Sequence, residues 1–190
     1  MRANTAEMAL GHPNFNEYDF SLSTGSYLLN TPTDINNTNP KSGVWFVDKA
    51  SLGLPVQGLG TTALSGRWNY EGWVVIDGTP VSTGRFRNPA IADDGNPYSE
   101  TSGTAYRFPG EDFLRNAPSG VTFPADLSGH SVYITLIAPR PAKANSPFAE
   151  MKLLEATVPS NAVSGTVYEM TNGSAKLPSG TVTLNIQIYE

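Results

Sequence analysis

Apolar and polar residues alternate with a two-residue period along much of the chain, which is the period of a β-strand with one buried face. The 3.6-residue period of an amphipathic helix is nearly absent. Segments with the alternation, or with a short β-branched run between turn formers, are predicted as strands: Tyr18 to Leu22, Ser26 to Asn30, Gly43 to Asp48, Tyr70 to Ile76, Val81 to Phe86, Ser131 to Ala138, Met151 to Val158, Thr166 to Met170 and Thr181 to Tyr189. The pattern predicts an all-β protein, an antiparallel β-sandwich.

One hairpin is clear, because Asp77 and Gly78 separate two apolar, β-branched runs. An Asp-Gly pair suits a type I′ turn, in which both central residues have positive φ. Ile76 and Thr79 are then the first hydrogen-bonded pair. Pro80, which lacks an N–H, comes next, so we predict that the returning strand lies at a sheet edge or carries a bulge.

Two of the predicted strands are apolar on both faces, namely residues 73–76 and 132–137. Strands of this kind are typical of the middle of a sheet that is covered on both sides. The strand at Thr181 to Tyr189 alternates strictly, which predicts one face on the core and one in solvent.

The strand pattern is interrupted by residues 31–42, a cluster of polar turn formers, and by residues 87–127, which are rich in glycine and proline. Long connections without regular structure are often functional. Because residues 87–127 also contain several aromatic residues, we predict that they pack as a long loop over a face of the sandwich.

One short helix is predicted inside this long loop, from Gly110 to Asn116. Glu111 and Asp112 would lie in its first turn, where negative charge opposes the positive end of the helix dipole, and Pro118 follows its end.

The composition suits an extracytoplasmic β protein. The 190 residues are predicted to form a single domain over 1–190, with residues 1–15 flexible. Charged residues make up only 15% of the chain, while glycine and proline are plentiful. The absence of cysteine excludes disulfides, thiolate metal sites and a cysteine nucleophile.

Charge and hydropathy narrow the classes of partner that can be predicted. The formal net charge is −5, and lysine and arginine form no cluster, so no nucleic-acid partner is predicted. No apolar run is long enough to span a membrane, and the first residues lack the apolar core of a signal peptide. A membrane tether would therefore lie outside this chain.

Residues for catalysis are scarce. His12 and His130 are the only histidines, and neither has a partner at metal-ligand spacing. A Gly-x-Ser-x-Gly elbow and a phosphate-binding glycine-rich loop are also missing. We therefore predict a protein that is not an enzyme and that has no cofactor and no bound metal.

Two groups of acidic residues each have more than one interpretation. Residues 93–96, Asp-Asp-Gly-Asn, resemble a calcium loop in composition but lack its spacing, and an Asx-rich turn explains them as well. Glu111 and Asp112 are candidates for general acid and base catalysis, or simply for the start of a helix.

Aromatic residues suggest a binding surface for a sugar or a peptide, formed by Trp45, Trp68, Tyr70 and Trp73 with residues of the long loop. Trp45 and Trp73 lie inside strands, and we predict them in the core. The candidate ligand-binding residues are Tyr98, Tyr106, Phe108, Glu111 and Asp112.

The hairpin sequence at 70–86, YEGWVVIDGTPVSTGRF, resembles the Y-x-x-W-x-x-x-x-G-x-P-x-S-x-G-x-F core of the extracytoplasmic domain of anti-sigma-K-factor-like proteins. Residues 134–139, followed by 145–148, look like a later segment of that family, although Ala138 stands where the family usually has glutamate. Residues 43–48, the hairpin and 108–118 are also similar to uncharacterised secreted proteins or lipoproteins of Bacteroidetes-type bacteria.

This resemblance implies a domain in the bacterial cell envelope, whether periplasmic, at the cell surface or secreted. The helical part that binds the sigma factor in such proteins is missing here, so sigma-factor binding is not predicted. We predict a non-enzymatic β-sandwich for sensing or protein interaction, with an unknown protein or glycan partner. The alternatives are a carbohydrate-binding or calcium-dependent adhesion module and, third, a carboxylate hydrolase.

Overall fold

The computed structural model describes residues 18–50, 53–65, 68–137 and 151–176. Within these ranges the secondary structure is almost wholly β, with one short 3-10 helix at Ser174–Lys176. The strands are β1 (Thr24–Leu29), β2 (Gly43–Trp45), β3 (Val47–Lys49), β4 (Pro55–Gln57), β5 (Leu59–Gly60), β6 (Asn69–Ile76), β7 (Thr79–Phe86), β8 (Gly110–Asp112), β9 (Ser131–Ile137), β10 (Lys152–Thr157) and β11 (Val167–Asn172). The predicted all-β class is confirmed. None of the described residues belongs to a helix long and apolar enough to cross a bilayer.

The main sheet is antiparallel and follows the order β7-β6-β9-β10-β11-β1-β2-β8, while β5 pairs with β1 beside this path. Strands β3 and β4 form a separate two-stranded sheet. The two ends of the main sheet, β7 and β8, lie close to each other. The sheet is therefore nearly closed, and the sandwich approaches a barrel.

The predicted hairpin is confirmed in detail. Asp77 and Gly78 have φ of 51° and 78°, and Ile76 pairs with Thr79. Strand β7, which carries Pro80, is at the end of the sheet order, so the missing N–H leaves no ladder bond unmade inside the sheet. The register between β6 and β7 also shifts at Gly72 and Trp73, which agrees with the predicted bulge.

Replacing Gly78 with alanine is expected to destabilise the protein by about 1 kcal/mol, because an L-residue is strained at this positive φ. No atom lies within 4 Å of the added Cβ, so the effect comes from the backbone alone. Gly95→Ala is the matched control, since the atom nearest to its added Cβ is Cδ of Pro97 at 4.0 Å and its φ is not left-handed. Urea unfolding of both variants measures the difference; equal stabilities would contradict the turn assignment.

The strands that are apolar on both faces are central, as predicted, because β6 lies between β7 and β9, and β9 between β6 and β10. Most residues of β9 are buried on both faces of the sheet. On β6, by contrast, Trp73 and Val75 are only half-buried, so one face of this strand is partly exposed. The prediction that Trp73 lies in the core is therefore wrong. Its ring stacks on Tyr133 of β9 with centroids 6.3 Å apart.

The predicted strand from Tyr18 to Leu22 is also wrong. The backbone turns there, because the N–H of Ser21 donates to the Asp19 carboxylate at 2.9 Å and the N–H of Ser23 donates to the carbonyl of Phe20 at 3.1 Å. The turn buries Phe20 and leaves Leu22 81% exposed. Local side-chain bonds of this kind compete with strand pairing.

The predicted helix from Gly110 to Asn116 is a strand at its start. Gly110, Glu111 and Asp112 form β8 and pair with β2. The two acidic side chains are buried and accept hydrogen bonds from other segments, so they do not cap a helix. Tertiary bonds available only in the folded sheet outweigh the local helix-start signal.

Strand β2 ends where the chain changes partners, so the strand predicted from Gly43 to Asp48 is divided at Phe46. The N–H of Phe46 donates to the carbonyl of Pro109 at 3.0 Å, and its carbonyl accepts from Gly58 at 3.2 Å. The short strands β4 and β5 were not among the predictions. The strand predicted at Thr181 to Tyr189, the flexible residues 1–15 and the second family-like segment from Ala138 to 148 lie outside the described residues.

The core consists of a large cluster inside the nearly closed sheet and a small one on the opposite face of β1 and β2. The largest fully buried side chains are Trp45, Tyr27, Tyr70, Phe46, Phe113, Leu28, Leu29, Leu59, Ile76, Leu127, Ile134 and Leu136. The small cluster contains Leu28, Trp45 and Val47 and is covered by Tyr106 and Phe108 of the long loop. The long loop therefore lies against the end of the main sheet that β2 and β8 form.

Candidate functional site

A turn at Asp93 and Asp94 bridges the gap between the edge strands β7 and β8. The N–H of Asp94 donates to the carbonyl of Arg85 at 2.8 Å, and the N–H of Arg85 donates to the Asp94 carboxylate at 2.7 Å. On the other side, the N–H of Gly110 donates to Oδ2 of Asp93 at 2.9 Å. We call this junction of β7, the turn and β8 the seam.

Glycine is required on both sides of the seam. A Cβ at Gly84, whose φ is 122°, would lie 2.6 Å from Cγ of Asp93. A Cβ at Gly110, whose φ is 151°, would lie 2.7 Å from Cα of Trp45 and 2.6 Å from the carbonyl oxygen of Val44. The backbone therefore approaches both the carboxyl group and the indole ring more closely than any side chain permits.

A pocket of about 140 Å³ opens at the seam. We call it the seam pocket, and its lining residues are Trp45, Ala92, Asp93, Gly95, Asn96, Ala105, Tyr106, Phe108 and Gly110. An engineered cavity of about 150 Å³ is large enough for benzene, so the seam pocket suits a group of roughly that size. Its lining combines three aromatic rings, small residues and one carboxyl group.

The rings of the seam pocket are fixed by neighbouring contacts. Trp45 and Tyr106 meet edge to face, with centroids 5.3 Å apart and planes at 78°. The hydroxyl of Tyr106 accepts a hydrogen bond from the Asn30 side chain at 2.5 Å. An edge-to-face pair is a favourable arrangement of two aromatic quadrupoles, so the wall keeps one geometry without a ligand.

Asp112 anchors the wall from behind. Its carboxylate accepts hydrogen bonds from Nε1 of Trp45 at 2.7 Å, from the N–H of Thr33 at 2.9 Å and from the Thr33 hydroxyl. The side chain has no exposed surface. Asp112 therefore ties the indole ring of β2 to the loop at residues 31–42.

Glu111 anchors the long loop in the same way. Its carboxylate accepts hydrogen bonds from the Ser99 hydroxyl, from the N–H of Tyr98 at 3.4 Å and from the N–H of Asp112 at 3.0 Å. Glu111 is fully buried. The segment at residues 98–99 is thereby held against β8.

Burial changes the protonation of these carboxyl groups. Desolvation raises the pKa of Asp93 to about 8 and the pKa of Glu111 to about 7, although hydrogen bonds to each group oppose the shift. The pKa of Asp112 is raised for the same reason, against its bonds to Thr33 and Trp45. Glu111 also raises the pKa of Asp93 by repulsion between like charges.

The five candidate residues from the sequence lie in different environments. Tyr106 and Phe108 line the seam pocket. Tyr98 lies in a separate aromatic cluster, where its ring centroid is 5.9 Å from Phe113 and 5.3 Å from Phe123. Glu111 and Asp112 are buried and bonded to the protein, so their oxygens face no solvent.

Sequence reasoning did not assign Trp45 and Asp93 to this pocket. It named Trp45 for an aromatic binding surface but placed it in the core, where the residue is indeed 2% exposed, and not at a pocket wall. It considered Asp93 only for calcium or an Asx turn. The signal for both was the long loop, whose aromatic residues at 106 and 108 need an apolar surface to cover.

The alternatives for metal and histidine chemistry gain no support from the geometry. Among the described ranges, no three or more Asp, Glu or His side chains are grouped so that they could hold a metal ion. Asp93 and Asp94 accept backbone N–H groups instead. His130 lies in a turn, with Nδ1 3.2 Å from the carbonyl oxygen of Ser128, and His12 is outside the described residues.

The chain matches no protein-family model, no curated protein and no solved structure. The resemblance of the hairpin to extracytoplasmic domains of anti-sigma-K-factor-like proteins therefore stays a prediction, and the geometry of the seam pocket carries the functional argument.

Proposed function

We propose that the chain is a non-enzymatic binding domain of the bacterial cell envelope, used for sensing, and that it holds its ligand in the seam pocket. The observation that carries this proposal is the pocket itself, in which an aromatic wall and a carboxyl group meet at the junction of the long loop with the sheet. Binding sites are typically concave and mostly apolar, with a few placed polar groups.

Preorganisation supports a binding role. Asp112 fixes Trp45, Asn30 bonds to Tyr106, and Gly110 bonds to Asp93. A site whose groups are already ordered loses less entropy when a ligand binds. Asp112 therefore contributes to binding through the ring of Trp45 that it positions, without touching the ligand.

The hydrolase alternative receives less support. A pair of catalytic carboxyl groups must face the substrate across a cleft. Glu111 and Asp112 have no exposed surface, and their hydrogen bonds run to protein groups. An envelope location is supported by the low content of charged residues and by the resemblance of the hairpin.

The three tryptophans of the chain provide separate reporters for an NMR test. Trp45 lines the seam pocket, Trp68 is buried in the core, and Trp73 is half-buried on the outer face of β6. Titration with a library of small soluble fragments is expected to shift the indole N–H signal of Trp45 and to leave the signal of Trp68 unchanged. A library without any fragment that shifts Trp45 would overturn the proposal.

A filled pocket is the specific control. Ala105→Leu adds apolar volume to the lining without a change of charge, and we expect it to abolish the shift of Trp45. Ala90→Leu makes the same change at an exposed position of the long loop outside the lining, and should bind like the original protein. Equal binding by both variants would place the ligand elsewhere.

A carbohydrate-binding role remains the second candidate, and one observation favours it. Trp73 and Tyr133 are directly paired across β6 and β9, and their ring planes differ by only 17°. Near-parallel rings on a sheet face suit stacking on a sugar. However, Tyr133 is only 7% exposed, and Nζ of Lys152 lies 4.4 Å from its centroid. In the same NMR test, oligosaccharides that shift Trp73 and not Trp45 would select this candidate.

A further inference from the structure

We propose that the seam pocket binds a small organic cation with an alkylated ammonium head, which sits among the rings of Trp45, Tyr106 and Phe108 beside the carboxyl group of Asp93. This inference rests on the proposed binding function and names the chemical class of the ligand. It is carried by the juxtaposition of aromatic rings with a carboxyl group that forms no ion pair with any described residue.

The carboxyl group of Asp93 has no cationic partner among the described residues. The ion pairs formed by described residues are Lys41 with Asp126, Arg85 with Glu71, and Lys176 with Glu155. None of these includes Asp93, and Arg85, the arginine of β7, is engaged with Glu71. A half-buried carboxylate without a counter-ion is unfavourable, so a bound cation would stabilise the ionised form of Asp93.

The aromatic lining selects the same class of ligand. Tryptophan, tyrosine and phenylalanine rings attract a cation to their faces, and sites for quaternary ammonium ions are commonly built from such rings. The seam pocket supplies one ring of each kind. An anionic ligand, by contrast, would meet the negative ring faces and the carboxyl group of Asp93.

Size and hydrogen bonding favour an alkylated head over a primary amine. The volume of about 140 Å³ resembles that of a cavity that accepts benzene, which is also the scale of a trimethylammonium group. A primary ammonium group has three N–H donors to satisfy. Asp93 already accepts N–H bonds from Gly110 and Gly95, and much of the remaining lining is apolar, so a cation without N–H donors fits better.

Two neighbouring acidic groups act in the same direction. Glu111 on β8 and Asp94 in the turn are the charged groups that raise the pKa of Asp93. Both are acidic, so they too attract a cation. Binding of the cation favours the ionised form of Asp93, and the affinity should therefore increase with pH while Asp93 is still partly protonated in the free protein.

Choline and 3,3-dimethylbutan-1-ol test the inference directly, because the two molecules have nearly the same shape and only choline is charged. We expect choline to bind roughly 10-fold more tightly in calorimetry, the factor that corresponds to about 1.4 kcal/mol. Choline should also shift the indole N–H signal of Trp45. Equal affinities, or binding of neither probe at millimolar concentration, would overturn the inference.

Two variants locate the charge effect. Asp93→Asn removes the charge and keeps an oxygen that can accept from Gly110, so the preference for choline should disappear. Glu100→Gln makes the same charge change at an exposed residue of the long loop outside the pocket, and should retain the preference. If Asp93→Asn does not fold, Phe108→Leu tests the ring contribution, and an unchanged preference there would contradict the inference.

The fragment titration keeps the two proposals distinguishable. If uncharged fragments shift the Trp45 signal but choline binds no more tightly than 3,3-dimethylbutan-1-ol, the cation inference is overturned and the proposed binding function still stands. Phosphatidylcholine vesicles identify the source of the head group. Cosedimentation with vesicles together with choline binding would assign it to a lipid, and choline binding alone would assign it to a free cation; both results support the inference.

Discussion

Replacing Asp112 with alanine is expected to destabilise the protein by about 2–6 kcal/mol, because two buried hydrogen-bond donors lose their acceptor. The substitution leaves the indole N–H of Trp45 and the N–H of Thr33 without an acceptor in the interior. Each unsatisfied buried donor costs about 1–3 kcal/mol. Urea unfolding measures the loss, and hydrogen exchange at residues 31–36 should increase along with it.

Asp126→Ala is the comparison for this effect. Asp126 is an aspartate whose side chain is 56% exposed and which forms an ion pair with Lys41 at 2.5 Å. Surface pairs of this kind contribute less than about 1 kcal/mol. Asp112→Asn, which retains one acceptor oxygen, should lie between the two alanine variants. A loss at Asp112→Ala no larger than that at Asp126→Ala would refute the anchoring role of Asp112.

The hairpin shows how far local sequence signals reach. The turn at Asp77 and Gly78, its first pair and the edge position of the Pro80 strand all follow from local rules, because each depends on the φ or the N–H of one or two residues. Strands β6 and β9 were also placed correctly in the middle of the sheet, since apolar residues on both of their faces require neighbours.

Strand β8 could not be predicted, because its reason for being a strand lies elsewhere in the chain. Its three residues, Gly-Glu-Asp, have low intrinsic preference for strands. They pair with β2 only because Ser99, Thr33 and Trp45 supply donors for the two buried carboxylates. No spacing in the sequence indicates that these distant residues meet, so the acidic pair was interpreted as a helix start.

The seam pocket was predictable only in part. Tyr106 and Phe108 stood out because aromatic residues in a long loop need a surface to cover. Asp93 was noticed for its acidic neighbour, but its contact with Gly110 joins two sheet edges that are far apart along the strand order. Closure of a sheet on itself is a global property, and composition does not reveal which turn will fill the gap.

The stability of the protein is expected to decrease as the pH rises from about 5 to 8, by an amount on the order of 6 kcal/mol. The pKa of Asp93 is about 8 in the folded protein against an ordinary value of 3.8, and that of Glu111 is about 7 against 4.5. At a pH between the ordinary and the folded-state pKa of each group, the folded protein holds a proton that the unfolded chain has released. The stabilising contribution is therefore complete below about pH 4 and is lost as the pH passes the folded-state values.

Glu111→Gln separates this effect from the rest of the titration. Glutamine keeps an oxygen for the bonds of Ser99 and Tyr98 but has no charge to desolvate, so the variant should match the original protein near pH 5 and exceed its stability near pH 8 by about 2–3 kcal/mol. Glu100→Gln, at an exposed position, should leave the pH profile unchanged. Urea unfolding across this range is the measurement, and a profile that is flat or rises with pH would show that the seam carboxyl groups ionise without penalty.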